Sequence, residues 1–328
     1  MKAIIHHDYG PPDVLRCEEI DKPAAGDDQV LIQVRAASVN PLDWRMMRGS
    51  PYLGRMAFGL RRPNDTRPGR DVAGLVEAVG RNVTQLKPGD AVFGAGRGSL
   101  AEYACAAASA VVIKPQNVTF EQAASSPVAG LTALQALRDK GQIQPGQKVL
   151  INGAAGGVGT FAVQIARWLG AEVTGVCSTS NVEMVRSLGA AQVIDYTRED
   201  FTRRGERYNV VLDCIVNHPL SACRRVLKPG GRYIIVGAPH SPWLIGFIAR
   251  LIKALLTSPF SSRKVMLFMA RSSRDDLSLM GELLATGKVI PVIDRRYSLN
   301  QVPEAMGYLE KGHARGKVVI SVDHGNTA

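Results

Sequence analysis

Hydrophobic and polar positions change their rhythm once along this chain. Through about residue 122 the pattern is one of short strands and turns. VLIQVRAASV (30–39) reads as a half-buried strand, AGLVEAVG (73–80) as another, and LKPGDAVFG (86–94) as a Pro-Gly-Asp turn feeding a third. From about 123 the units lengthen. AGLTALQALRDKG (129–141) and TFAVQIARWLG (160–170) carry helical apolar spacing and close on Gly141 and Gly170. KVLINGA (148–154), AEVTGVC (171–177), AQVIDY (191–196), YNVVLDCI (208–215) and GRYIIVGA (231–238) read as buried strands, with a helix over NVEMVRSLGA (181–190). Strands alternating with helices predict parallel βαβ units, which bind ligands at the carboxyl ends of their strands. After about 270 come one helix, SSRDDLSLMGELLATGK, and two strands, IPVIDRRYSL and GKVVISV. Those strands need partners that the β-rich first part can supply. The expected layout is α/β: a discontinuous domain of residues 1–123 and 269–328, with a nucleotide-binding domain, 124–268, inserted into it.

Composition narrows the picture. A chain of 328 residues that is 45 % apolar can fill two cores. Its first residues lack the apolar stretch of a secretory signal, and no run approaches the 18 apolar residues of a membrane span. Cysteines 17, 105, 177, 214 and 223 form no CxxC or Cys/His cluster, so they are expected to be reduced, small hydrophobes of a cytoplasmic protein. A net charge of +11 alone would admit nucleic acid, but aromatics are only 6 % and no basic helix carries stacking rings. Anionic small molecules fit better.

The clearest chemistry lies at 154–159, AAGGVG, between a predicted strand and helix. Gly156 would allow the tight turn, Gly157 the approach of a pyrophosphate, and Gly159 close helix–strand packing, with Ala155 and Val158 contributing backbone beside the phosphates. Ala154 replaces the first glycine of the usual pattern. Such sites commonly place an acid about 20 residues beyond the glycines to hold the ribose hydroxyls. This chain has Ser178 there, followed by Thr179, Ser180 and Asn181. Donors without negative charge tolerate a 2′-phosphate, and Tyr196, at the end of the next strand, can reach the adenosine. NADPH is the expected cofactor, the alternative being a polar loop with no preference.

Taken together, SVNPLDW (38–44), GRDVAGLVEAVG (69–80), GSLAEYACA (98–106), GLTALQAL (130–137), INGAAGGVGTFAVQIA, LGAAQVIDY, LKPGG (227–231) and GHARGKVVI (312–320) resemble the medium-chain dehydrogenase/reductase superfamily. Within it, they resemble the zinc-free quinone oxidoreductase-like branch. The resemblance implies a GroES-like catalytic domain clasping a Rossmann domain, with the active site in the cleft. Zinc-dependent members carry Cys at the position of Asn40 and Gly-His-Glu where this chain has Gly69-Arg70-Asp71. An amide and a guanidinium cannot replace a thiolate and an imidazole, so no metal ligand is assigned and no zinc is expected. Without a Lewis acid, hydride delivery to an already electrophilic carbon is the easier chemistry. The expected substrate is therefore a quinone or an α,β-unsaturated carbonyl. Asn40 is the first catalytic candidate, orienting the nicotinamide or donating to the substrate oxygen, with a turn cap as its structural alternative. Arg45 would add positive charge and Tyr52 would donate or relay a proton, the alternative for each being an ordinary surface residue. By the same resemblance Thr132 would lie beside the cofactor, unless its hydroxyl only bonds back along its helix. Ile215, Gly237 and Ala238, at strand ends, would lie where ribose and nicotinamide pass, and Lys317 would be a phosphate or pocket cation or else a solvated lysine. An alcohol or aldehyde oxidoreductase, or a catalytically silent NADPH-binding protein, are the competing functions.

Two regions stay open. Residues 45–70 hold seven arginines and one acid, Asp65. They form either a solvated loop or a basic rim that draws in NADPH or an acidic substrate. Residues 241–260 are apolar over most of a helical circumference, as suits a lid, the contact of a homodimer, or a peripheral membrane-surface anchor.

Overall fold

The computed structural model describes residues 1–237 and 262–324. The chain divides into two units. The first comprises Met1–Leu131, Ser272–Gly287 and Pro291–Ala328; the second comprises Thr132–Arg271 and Lys288–Ile290. The first break thus falls after Leu131, eight residues beyond the position expected from sequence. The reason is local: the backbone N–H of Val128 donates to Asp71 Oδ1 at 2.8 Å, which ties the start of helix Pro127–Gln135 to the first unit.

The first unit is built on strands β1 (Lys2–Ile5), β2 (Arg16–Glu19), β3 (Gln29–Val39), β4 (Asp71–Val79), β5 (Ala91–Ala95), β6 (Tyr103–Ala107) and β7 (Val111–Ile113). Its main sheet also takes in the two last strands of the chain, Ile293–Ser298 and Lys317–Ser321. Alternation along β3 puts Val30, Ile32 and Val34 into the core, where they meet Val72, Val76, Val318 and Ile320. Strand Lys317–Ser321 runs antiparallel to β3, pairing Val318 with Val39, while β3 pairs Ser38 with Asp71 on its other side. This register gathers the ends of three strands. Helix α1 (Pro41–Arg48) follows β3 directly. Asn40 is its N-cap residue and Pro41 fills its first position, where the missing N–H costs nothing. Gly49 ends the helix in the left-handed conformation, φ 60°. A short helix α2 (Arg55–Phe58) follows.

The second unit carries β8 (Lys148–Asn152), β9 (Glu172–Cys177), β10 (Gln192–Asp195), β11 (Tyr208–Asp213), β12 (Leu227–Ile235) and β13 (Lys264–Leu267). All pair in parallel, in the order β10-β9-β8-β11-β12-β13. Counted within the unit this is 3-2-1-4-5-6, the order that opens a crevice beside its first strand. The sheet is doubly wound and its strands read as near-continuous apolar runs because helices cover parallel sheets. The twelve-residue helix Gly157–Trp168 begins three residues earlier than its apolar spacing indicates, because the glycines themselves supply its first turn. The helix expected over 129–141 is α-helical only to Gln135, and Ala136–Lys140 continue as a wider π-helical turn. Residues 241–260, with their lid, dimer and membrane readings, lie outside the described residues, as does Ala238.

Candidate active site

In the first unit, Asn40 belongs to a buried polar network. Its Nδ2 donates to Asp71 Oδ2 at 2.8 Å, and its Oδ1 accepts from Lys317 Nζ at 2.6 Å. Asp71 Oδ2 also accepts from Ser38 Oγ at 2.6 Å and from Lys317 at 3.2 Å. With the Val128 N–H on Oδ1, the carboxylate is surrounded by donors, as a buried charge requires. Asn40 does not cap α1 with its side chain. Instead the Asp43 carboxylate accepts the Asn40 backbone N–H at 2.7 Å. Burial raises the Asp43 carboxyl to about 6, with the nearby Asp71 charge adding to the rise and the N–H donors of Asn40 and Gly69 opposing it.

Lys317, the expected phosphate or pocket cation, lies within the same network. It is 3 % exposed, and Nζ spends its donors on Asn40, Asp71 and the Val39 carbonyl, the last at 3.4 Å. The side chains of Arg45 and Tyr52 have other neighbours. The Arg45 guanidinium stacks 4.8 Å from the Trp44 ring, and burial lowers its pKa. Tyr52 is 46 % exposed and lies 5.0 Å from the Arg55 guanidinium, whose other aromatic neighbour is Tyr9 at 4.5 Å. The structure thus brings Asn40 and Lys317 together, while Arg45 packs on Trp44 and Tyr52 on Arg55.

The arginine-rich stretch is not one uniform solvated loop. Arg48 forms a bidentate pair with Glu310 at 2.7 and 2.8 Å, Arg55 donates to the carbonyls of Gly49 and Arg48, and Arg62 pairs with Asp8 at 3.1 Å. Arg70 lines a pocket.

In the second unit the glycine loop joins β8 to the helix at Gly157. The tight turn falls on Gly153, φ +85°, and not on Gly156, whose φ of −83° any residue can adopt. A side chain on Gly159 would place its Cβ 2.1 Å from the Gly153 carbonyl oxygen, so its absence is a packing requirement. A Cβ on Gly156 would meet nothing nearer than 3.5 Å. The space before the helix N-terminus is therefore open, and there a phosphate finds N–H groups and the positive end of the helix dipole. Ala155 is buried, and Val158 stands half-buried in the first turn.

Beyond β9, Ser178 Oγ accepts from Asn181 Nδ2 at 3.0 Å, while Asn181 Oδ1 is buried with no hydrogen-bond partner among the described residues. An adenosine ribose hydroxyl is a donor suited to that orphaned oxygen, so these residues fit a dinucleotide. The loop is less free of negative charge than its sequence indicates. Asp195, at the end of β10, accepts from Thr179 Oγ1 at 2.5 Å, and Arg198 lies 3.5 Å from the same carboxylate. Tyr196 is 53 % exposed beside them and donates its backbone N–H to the Cys177 carbonyl.

The residues after β11 are organised by Asp213, which sequence reasoning passed over. Its Oδ1 accepts from Asn152 Nδ2 at 2.9 Å and from the backbone of Ile215 at 2.9 Å and Val216 at 2.8 Å, and its Oδ2 accepts from the Tyr233 hydroxyl. Burial, with Asp213 beside it, pushes the Tyr233 phenol far above its ordinary pKa. The one available signal was an acid ending an apolar strand, which must find donors. Ile215 is held 46 % exposed. Gly237 is obligatory, since a Cβ there would lie 2.1 Å from the Cys214 carbonyl oxygen. Thr132 sits half-buried in helix Pro127–Gln135.

Two family models match this chain: the alcohol dehydrogenase GroES-like domain over residues 26–116, and a zinc-binding dehydrogenase domain over 188–320. The chain is 36 % identical to the 2-methylene-furan-3-one reductase of Solanum lycopersicum, over 98 % of this chain and 79 % of that protein. It is 33 % identical to a chloroplast envelope quinone oxidoreductase homolog of Arabidopsis thaliana, over 98 % of both. The quinone oxidoreductase of Coxiella burnetii superposes with a TM-score of 0.86 at 31 % identity, covering 98 % of this chain and 99 % of that one. The residues present do not fit the zinc that the second family model names. Where a thiolate and an imidazole would bind it, this chain has an amide already bonded to an ammonium and a carboxylate, and a guanidinium. Among the described residues, no group of three or more His, Cys, Asp or Glu could hold a metal ion. The chain belongs to the medium-chain dehydrogenase/reductase superfamily, in its zinc-free quinone oxidoreductase-like branch.

Proposed function

We propose that this protein is an NADPH-dependent, zinc-independent reductase of quinones and α,β-unsaturated ketones and aldehydes. The observation that carries the reading is the fixed amide of Asn40. One of its N–H groups goes to Asp71, its oxygen goes to Lys317, and one N–H remains. That donor, backed by an ammonium 2.6 Å from the amide oxygen, suits an oxygen on which charge grows as hydride arrives at the far end of a conjugated system. When bound, NADPH supplies the hydride; a proton from solvent completes the reduction. The glycine loop holds the pyrophosphate and Ser178, Asn181 and Tyr196 hold the adenosine end, with Thr132, Ile215 and Gly237 along the cofactor.

Cysteine chemistry does not compete. Burial raises the thiols of Cys177 and Cys223 to about 11 and that of Cys214 further, so all three stay protonated near neutrality. A cytoplasmic setting belongs to the same proposal, and the five free cysteines are compatible with it. A homodimer completes the reading, and sedimentation of the full chain tests it.

NADPH consumption across a panel of quinones, enones and saturated aldehydes tests the function. Turnover of quinones or enones with little of saturated aldehydes is expected. Saturated aldehydes as the best substrates would make it an aldehyde reductase. No turnover with any acceptor, alongside tight NADPH binding, would leave only a binding protein.

A further inference from the structure

A pocket of about 270 Å³ opens wholly within the first unit, next to the Asn40 network. Arg70, on its wall, immediately precedes Asp71, and Met46 projects from α1, the helix that Asn40 begins. Its volume lies near the lower end of small-ligand sites. Tyr9, Phe58 and Pro63 give it an apolar side. The Tyr9 ring is fixed at both ends, its hydroxyl donating to the Gly59 carbonyl at 2.7 Å and the Arg55 guanidinium stacking on it at 4.5 Å.

The polar side carries unequal charge. Asp65 and Arg97 face the pocket as a pair at 2.7 Å and offset one another. Among the described residues neither Arg70 nor Arg67 makes a side-chain hydrogen bond or ion pair, and of the two only Arg70 lines this pocket. His6, also on the wall, is held toward its neutral form by burial. A small extension under Arg70 adds Arg67 and the buried carboxyl of Asp43, which leaves the balance at one positive charge. A guanidinium with an open fork beside an aromatic wall matches a flat, conjugated molecule bearing one carboxylate. A phosphate, with nearly two charges, would be undercompensated here.

We propose that this pocket takes the carboxylate-bearing end of an acidic enone, with Arg70 as its anion partner and specificity determinant. The proposal rests on the reductase reading for the reaction, while the pocket itself can be tested without it. Among the seven arginines of residues 45–70, Arg48 and Arg55 are thereby structural, and Arg70 selects an anionic substrate.

The test compares 4-(3-oxobut-1-enyl)benzoate with its methyl ester as NADPH-dependent substrates of the full-length protein, wild type and Arg70→Gln. In a second arm, calorimetry measures binding of the saturated 4-(3-oxobutyl)benzoate with no cofactor present. The wild type should prefer the acid over the ester by about 10- to 100-fold in kcat/KM, since a hydrogen bond to a charged group contributes about 1.5–3 kcal/mol. Arg70→Gln should bring that ratio close to one and abolish the binding heat. The ratio compares two substrates on one protein, so partial loss of fold does not mimic the effect. Equal use of acid and ester by the wild type, or a preference that survives in Arg70→Gln, overturns the proposal. If neither enone is reduced, the reductase reading fails and calorimetry alone decides: binding lost in Arg70→Gln supports the anion pocket, and absence of binding to the wild type removes it.

Discussion

Lys317 Nζ stands 2.6 Å from Asn40 Oδ1, so the Asn40 amide has a single chemically sensible orientation. Its oxygen meets a group that can only donate, and its nitrogen meets the Asp71 carboxylate, which can only accept. The amide is fixed before any substrate arrives, which is the condition under which a hydrogen-bond donor lowers a barrier most.

Removing the amide should damage turnover more than fold. In Asn40→Ala the Lys317–Asp71 pair at 3.2 Å survives, so no buried charge is stranded. Loss of one such donor typically costs roughly 10²–10³ in rate. Steady-state kcat should fall by that order while the NADPH dissociation constant changes little. Near-normal turnover would reduce Asn40 to a structural residue.

Lys317→Met should behave in the opposite way. It leaves Asp71 buried at 0 % exposure without its countercharge. Breaking a buried pair from one side costs about 3–5 kcal/mol, so the urea midpoint should drop by more than in Asn40→Ala. A smaller drop would mean that the Ser38, Asn40 and Val128 donors hold the carboxylate unaided.

Asp43 should leave a signature in the pH dependence of stability. Its carboxyl sits at about 6 in the folded chain against an ordinary 3.8, so between these values the native state binds the proton more tightly than the unfolded state. Stability from this group is complete below about pH 4 and is lost as pH rises to about 6, by about 2–3 kcal/mol. Asp43→Asn should remove that slope. Urea titrations at several pH values would show the wild type weakening relative to the variant over this window and running parallel above it; parallel curves throughout would contradict the burial argument.

Elemental analysis of the purified protein should find no stoichiometric zinc, and chelators should leave activity unchanged. One tightly held zinc per chain would refute the assignment of Asn40 and Arg70 as non-ligands.

Cofactor preference should turn on Ser178. A carboxylate about 4 Å from a phosphate is repelled by about 4 kcal/mol per charge pair at an effective dielectric near 20. After screening and loop relaxation, Ser178→Asp should shift the NADPH/NADH preference by about 1–3 kcal/mol, roughly 5- to 150-fold. Asp195, already bonded to Thr179, sets the reference charge of the loop, and Arg198 partly offsets it. An unchanged ratio in the variant would detach Ser178, Asn181 and Tyr196 from the phosphate.

What the sequence determined by itself was everything carried by local periodicity and local backbone demand. The switch from short strands to βαβ units and the glycine turn into a helix are legible because each depends on neighbouring residues, and the loss of zinc-ligand chemistry at positions 40 and 70 is legible once the family resemblance marks those positions. Only the tertiary structure decided which distant groups meet. Lys317 reaches Asn40 because its strand pairs with β3, 277 residues away in sequence. The motif around it shows a cation and nothing of the carboxylate that consumes its charge. Asp195 and Arg198 enter the adenosine loop because β10 lies beside β9, which a count forward from the glycines does not sense. Arg70 is told apart from Arg45, Arg48, Arg55 and Arg62 only once their partners are in place. Charge is written in the sequence residue by residue, but whether it is spent or free depends on strand register and packing.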